Sequence, residues 1–175
     1  MAGILIAGSG GQGILFAGKL LAHGAMLEGK HVTWFPSYGA EMRGGTANCT
    51  VVVSDEPIGS PIVKNPDMLV VFNEASLKRF EGRVKKGGVL LMDSTLVKAS
   101  PARKDVRVVG IPASGIAMSL GSVRSANMVV IGALLKETGL LKEDTVMRAL
   151  RELTPARRLK SLDINKTALG KGLHG

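Results

Sequence analysis

A chain of 175 residues, 45% hydrophobic and 21% charged, is long enough to bury a core, and no apolar run in it approaches the ~18 residues that suggest a membrane span. One cysteine, Cys49, excludes an internal disulfide and fits a cytoplasmic protein, as does an apolar start, MAGILIAG, that lacks the basic region of a signal peptide. The net charge of +9 invites an anionic partner, but an aromatic content of 3% leaves almost nothing to stack on bases, which argues against nucleic acid.

In chain order, residues 4–7 are a short apolar run between glycines and predict a buried strand. Residues 13–28 predict a helix, closed by Gly29 as a left-handed cap. Residues 31–35 predict a second strand stopped by Pro36, and residues 46–53 a third, with TVVV at its centre. Residues 55–66 carry three prolines and predict a loop. MLVVF at 68–72 predicts a fourth strand, after which Asn73 caps a helix expected over residues 73–86. Residues 89–92, ending at Asp93, and 106–110 predict two further strands. Residues 122–138 predict an apolar helix ended by Gly139, and residues 143–153 an amphipathic one stopped before Pro155. The basic tail from about residue 156 is expected to hold one or two helical turns near residues 165–169.

Strands apolar on both faces with helices between them predict a single α/β domain over residues 1–175, Rossmann-like, with three layers (α/β/α) around a mainly parallel sheet. The two strands between residues 30 and 60 have no helix between them, which allows part of that sheet to be antiparallel. The charge is uneven. Residues 78–107 hold nine Lys/Arg against three acids, so a solvated basic face stands beside attraction to an acidic protein or a phosphate-bearing metabolite as its explanation.

Two loops carry special chemistry. LIAGSGGQGILFAG fits G-x-G-x-x-G at Gly8, Gly10 and Gly13, with Gly11 and Gln12 between; the pattern follows a strand and opens a helix whose free amides suit an anion. A dinucleotide fold also wants an acid at the end of the second strand, and there the sequence reads Thr33-Trp34-Phe35-Pro36-Ser37. GILFAGK at 13–19 imitates a P-loop, but Leu20 replaces the magnesium-binding hydroxyl and the residues fall inside the helix. The bland explanation of GSGGQG is a tight turn permitting close approach; the functional one is contact with the edge of a ligand or cofactor held mainly by another chain. Gln12, whose amide donates and accepts, is its most informative member.

The second loop is PSYGAEMRGGTANCT, with candidate residues Ser37, Tyr38, Gly39, Glu41, Arg43, Gly44 and Gly45. Its glycines suggest a shaped loop, and Arg43 suits a carboxylate or phosphate in two-pronged geometry unless it simply pairs with Glu41. Both loops follow strands and are expected to share one sheet edge.

Together GSGGQG, SYGAEMRGGTANC, SDEPIGSP and SANMVVIGALL resemble the gamma subunit of 2-oxoacid:ferredoxin oxidoreductases, in motif order and over nearly the whole chain. RGG after the glutamate-bearing segment resembles the 2-oxoglutarate or branched-chain oxoacid branch more than pyruvate. The resemblance implies a non-catalytic subunit. Its partners would be alpha and beta subunits, with a ferredoxin-like delta subunit as a further candidate, together with ferredoxin and, as co-substrate of the complex, coenzyme A. The whole assembly would use thiamine diphosphate, magnesium and iron–sulfur clusters to make acyl-CoA and carbon dioxide. This chain has one cysteine and no thiamine-type GDG segment, so it is expected to bind none of these cofactors alone and to hold no metal. Cys49 is expected to be a small core residue, Asp93 a cap, and the three histidines (His23, His31, His174) have no metal-ligand spacing. A stand-alone NAD(P)-dependent oxidoreductase and a phosphate- or nucleotide-binding regulatory domain remain as alternatives.

Overall fold

The computed structural model describes residues 1–37 and 46–175. Six strands, β1 (Ala2–Ser9), β2 (His31–Ser37), β3 (Thr46–Ser54), β4 (Met68–Val71), β5 (Val89–Asp93) and β6 (Arg107–Ile111), form one sheet in the order β2-β3-β1-β4-β5-β6. The β1–β4, β4–β5 and β5–β6 pairs are parallel. β3 runs antiparallel to both β1 and β2, so the sheet is mixed in the stretch where no helix separates two strands. β1 is buried along almost its whole length because both its faces are covered: Ile4 and Ile6 enter one core, Leu5 and Ala7 the other.

The two faces are covered unequally. On the first lie helices α1 (Ile14–Leu27), α3 (Ala113–Ser119), α4 (Ala126–Thr138), α5 (Glu143–Leu153) and α6 (Lys160–His174). The second carries α2 (Glu74–Phe80), whose Leu77 and Phe80 cover Leu69 and Val71, and parts of the segments around it. The proline loop crosses the second face: Arg83 donates to the carbonyls of Val63 and Lys64, and the Gly3 amide donates to Asp67 at 2.7 Å.

Four elements differ from expectation, each for a physical reason. Pro36 does not stop β2 but lies within it, paired opposite Cys49; β2 is a sheet edge, where a residue without an N–H is tolerated. α2 ends at Phe80 and tightens into a 3-10 turn over Glu81–Arg83, because Gly82 weakens the helix and Lys85 N–H leaves it for the Pro66 carbonyl. α3 carries no local cap; Asp93, at the end of β5, accepts from the Ser114 amide and hydroxyl instead. The tail is a 15-residue helix rather than one or two turns. α6 is held by burial of Leu162, Ala168 and Leu169, and by Gly172, whose Cα lies so close to α4 that a Cβ there would strike the Val129 carbonyl oxygen.

Candidate functional site

α1 leaves the end of β1 toward the first face, and α2 leaves the end of neighbouring β4 toward the second. Two adjacent parallel strands whose helices part in this way form a topological switch point, where open α/β sheets place their ligand crevice. One lip is the turn at residues 9–13 and the other is residues 72–76.

Backbone geometry explains the glycines of the first lip. Gly11 and Gly13 have φ of 91° and 73°, the left-handed region that suits glycine. A Cβ on Gly8 would lie 2.7 Å from Ile14 Cδ1 and 3.0 Å from Phe72 Cβ. Gln12 folds back over this turn. Its Oε1 accepts from the Ser9 amide at 2.6 Å, and its Nε2 donates to the Phe72 carbonyl across the crevice at 3.3 Å. Asn73 closes the crevice from the other side: Nδ2 donates to Ser9 Oγ at 2.8 Å, while Oδ1 caps α2 by accepting from the Ser76 amide at 2.7 Å. The amide of Gln12, free to donate and accept in sequence terms, is thus spent on the chain's own backbone.

Two residues of this site were not evident from sequence. Asn127, at the start of α4, donates to the Gly13 carbonyl at 3.2 Å, and its amide occupies the space a Cβ on Gly13 would need. It lies inside SANMVVIGALL, yet nothing local marks it, since its partner is 114 residues away. Ser9 is the hub joining Gln12 to Asn73. α1 itself starts without a side-chain cap and without an acid in its first turn, so its positive end faces this edge uncompensated.

Of the second loop, Tyr38, Gly39, Glu41, Arg43, Gly44 and Gly45 lie outside the described residues. The residues that flank it are placed: Ser9 pairs with Thr46, and Ser37 with Asn48. Both ends of the loop therefore lie on the edge that carries the glycine turn.

Other candidates fall into structural roles. Asp93 is fully buried and accepts from Thr95 N, Ser114 N and Ser114 Oγ, so it is a cap. Cys49 is fully buried; loss of solvent pushes its thiol up to about 12, far from a nucleophile's range. Among the described residues no three His, Cys, Asp or Glu side chains meet as a metal site, and His23 and His174 face Glu152 and Glu143 instead. With one cysteine in its sequence, the chain cannot supply the several thiolates that an iron–sulfur cluster takes. No helix among the described residues is long and apolar enough to cross a membrane.

Over residues 3–174 the sequence matches the pyruvate ferredoxin/flavodoxin oxidoreductase family. The chain belongs to this family. It is 43% identical over 171 residues to the ketoisovalerate oxidoreductase subunit VorA of Methanothermobacter marburgensis, covering 97% of this chain and 35% of that one. It is 37% identical over 157 residues to the 2-oxoglutarate synthase subunit KorC of Methanocaldococcus jannaschii, covering 87% of this chain and 83% of that one. The fold superposes with a TM-score of 0.87 on the gamma subunit of a keto/oxoacid ferredoxin oxidoreductase from Geobacter sulfurreducens, at 28% identity over 99% of this chain and 97% of that one. The chain thus spans about a third of the VorA relative's length, but most of the other two.

Proposed function

We propose that the chain is the gamma component of a 2-oxoacid:ferredoxin oxidoreductase. It completes an assembly whose other chains hold thiamine diphosphate, magnesium and iron–sulfur clusters. That assembly turns a 2-oxoacid and coenzyme A into acyl-CoA and carbon dioxide and passes electrons to ferredoxin. The partners are alpha and beta subunits, with a ferredoxin-like delta subunit as a further candidate, and the setting is cytoplasmic. The observation that carries this reading is the family match over residues 3–174, in a chain whose crevice is closed by its own Gln12 and Asn73. The names of the VorA and KorC relatives favour a branched-chain 2-oxoacid or 2-oxoglutarate over pyruvate.

In this assembly the glycine turn (Gly8, Gly10, Gly11, Gln12, Gly13) and the second loop (Ser37, Tyr38, Gly39, Glu41, Arg43, Gly44, Gly45) form the edge offered to the thiamine-bearing chains. The test is purification of the tagged chain from its native source. Larger iron–sulfur chains should accompany it, with 2-oxoacid- and coenzyme A-dependent reduction of a viologen dye. Arg43→Ala should leave the melting temperature unchanged and lower assembly or turnover. A chain that elutes alone and binds NADH at micromolar concentration would replace this reading with the stand-alone oxidoreductase.

A further inference from the structure

About a quarter of the chain, residues 64–107, carries more than half of its net charge of +9: ten Lys/Arg stand there against five acids. The fold gathers this charge on the second face. In α2, Ser76, Leu77 and Phe80 are buried, which leaves Lys78 and Arg79 on the exposed side. The segment after β5 is tied alongside. Its Lys98 and Ala99 amides donate to the Glu74 carboxylate at 3.1 and 3.3 Å, its Ala102 amide donates to Glu81 at 2.9 Å, and Arg103 donates to the Glu81 and Gly82 carbonyls. Arg83 draws in the proline loop through the Val63 and Lys64 carbonyls. Lys64, Lys78, Lys98 and Lys104 are thereby brought, exposed, around α2 and the 3-10 turn Glu81–Arg83.

The acids of this stretch are used internally. Besides Glu74 and Glu81, Asp67 accepts from the Gly3 amide and Lys85, Asp105 pairs with Arg103, and Asp93 is fully buried. The other surplus, eight Lys/Arg against four acids over residues 142–175, lies along α5 and α6 on the first face. It is broken by Asp144 and Asp163, exposed carboxylates with no partner among the described residues. The chemistry of the second face narrows what it can take. Both aromatic rings of residues 64–107, Phe72 and Phe80, are buried, so no ring is offered to a base. The cavity of about 320 Å³ at its margin, beside Lys85 and Lys86, has Asp67 and Glu137 in its wall, which opposes a small anion. Cations spread over a surface in this way suit a protein with clustered carboxylates. The family's description names a protein electron carrier, ferredoxin or flavodoxin, as a reactant.

We propose that this face docks the electron carrier of the complex, an acidic ferredoxin, with Lys64, Lys78, Lys98 and Lys104 facing its carboxylates. This rests on the subunit reading above. The experiment uses the complex and the ferredoxin from the native source and compares wild type with the variant Lys64→Glu/Lys78→Glu/Lys104→Glu. At low salt the variant should raise the KM for ferredoxin by about tenfold or more, and the difference should shrink at high salt, where exposed charges are screened. Turnover with a viologen dye, which needs no docking, should be unchanged. The variant Arg157→Glu/Arg158→Glu/Lys160→Glu, an equal charge change on the first face, should leave the KM for ferredoxin unchanged. In the wild-type complex, carbodiimide coupling should join ferredoxin carboxylates to Lys64, Lys78, Lys98 or Lys104.

An unchanged KM, an equal rise with the first-face variant, or coupling only to lysines outside this stretch overturns the docking face and leaves the subunit reading standing. Loss of viologen turnover in the variant, with its melting temperature unchanged, would give the face to a neighbouring subunit and refutes the proposal as well. A wild-type chain found alone, with no 2-oxoacid-dependent reduction of viologen, overturns the subunit reading itself. Should the triple variant fail to fold, Lys64→Gln/Lys78→Gln/Lys104→Gln and the coupling pattern of the wild-type complex still decide.

Discussion

The crossing of α4 and α6 offers a severe test, because it is built on two facing glycines. A Cβ on Gly132 would overlap the Leu169 carbonyl oxygen and lie 2.8 Å from Leu173 N and 3.0 Å from Gly172 Cα. A Cβ on Gly172 would overlap the Val129 carbonyl oxygen and lie 2.9 Å from Ala133 N. These neighbours are backbone atoms and cannot rotate away, so the helices must part by roughly 1.5 Å to restore ordinary van der Waals contact. α4 has little room to yield, since every residue from 126 to 135 is buried. Overpacking of this kind costs about 1–3 kcal/mol or more, against about 1 kcal/mol returned by alanine's better helix propensity. Gly132→Ala and Gly172→Ala should each lose about 2 kcal/mol in urea titration, with unchanged m-value, and melt roughly 4–8 °C lower. Because one separation relieves both overlaps, the double variant should lose less than the sum of the singles. A Gly132→Ala chain as stable as the wild type, or costs that add in full, would refute the idea of one shared close crossing.

Two further outcomes follow from buried groups. Asp93→Asn should destabilise by about 3 kcal/mol, since an amide replaces a charged acceptor facing the Ser114 and Thr95 donors; exchange over Ala113–Ser119 should speed up selectively, and an unchanged rate there would show that Asp93 does not pin α3. Cys49 has a folded-state thiol raised from 9.0 to about 12, so its contribution to stability is complete below about pH 9 and is lost as pH rises toward 12. The wild type should therefore lose up to about 1.4 kcal/mol per pH unit in that window relative to Cys49→Ala, and iodoacetamide at pH 8.5 should label the native thiol only as fast as the chain unfolds; parallel stability curves for the two proteins would refute this.

What the sequence revealed and what it hid divide along the range of the interactions involved. α5 is legible at Glu143–Leu153 because its apolar spacing is local, and Asn73 is legible as a cap because the amide it accepts from is three residues away. Gly139, at φ 61°, marks the end of α4 through its own backbone freedom. α3 hid because its cap, Asp93, is 21 residues upstream. α6 hid because Gly170 and Gly172 resemble a frayed tail until α4 is laid against them. At the candidate site the glycines spoke through local turn geometry, whereas the Asn127 contact that fixes Gly13 needed the whole fold.

Sheet order gives the missing ribose acid a deeper meaning. A dinucleotide site pairs the glycine turn of the first strand with a carboxylate at the end of the strand beside it, which the doubly wound order supplies. Here antiparallel β3 lies between β1 and β2, and the end of β2 stands two strand spacings, roughly 10 Å, from the end of β1. An acid at Ser37 would therefore be a strand too far to serve the glycine turn. The near lip is taken as well: Gln12 uses the Ser9 amide and the Phe72 carbonyl, two groups that the crevice mouth would otherwise offer. The glycines meet the backbone demands of the fingerprint, a left-handed turn and a close strand–helix approach, while topology withholds the second half of the ligand site. In its place β3 brings both ends of the second loop, next to Ser37 and Thr46, to the edge occupied by the glycine turn. The glycine turn and the uncapped helix end thus supply the backbone half of a dinucleotide site without the carboxylate half.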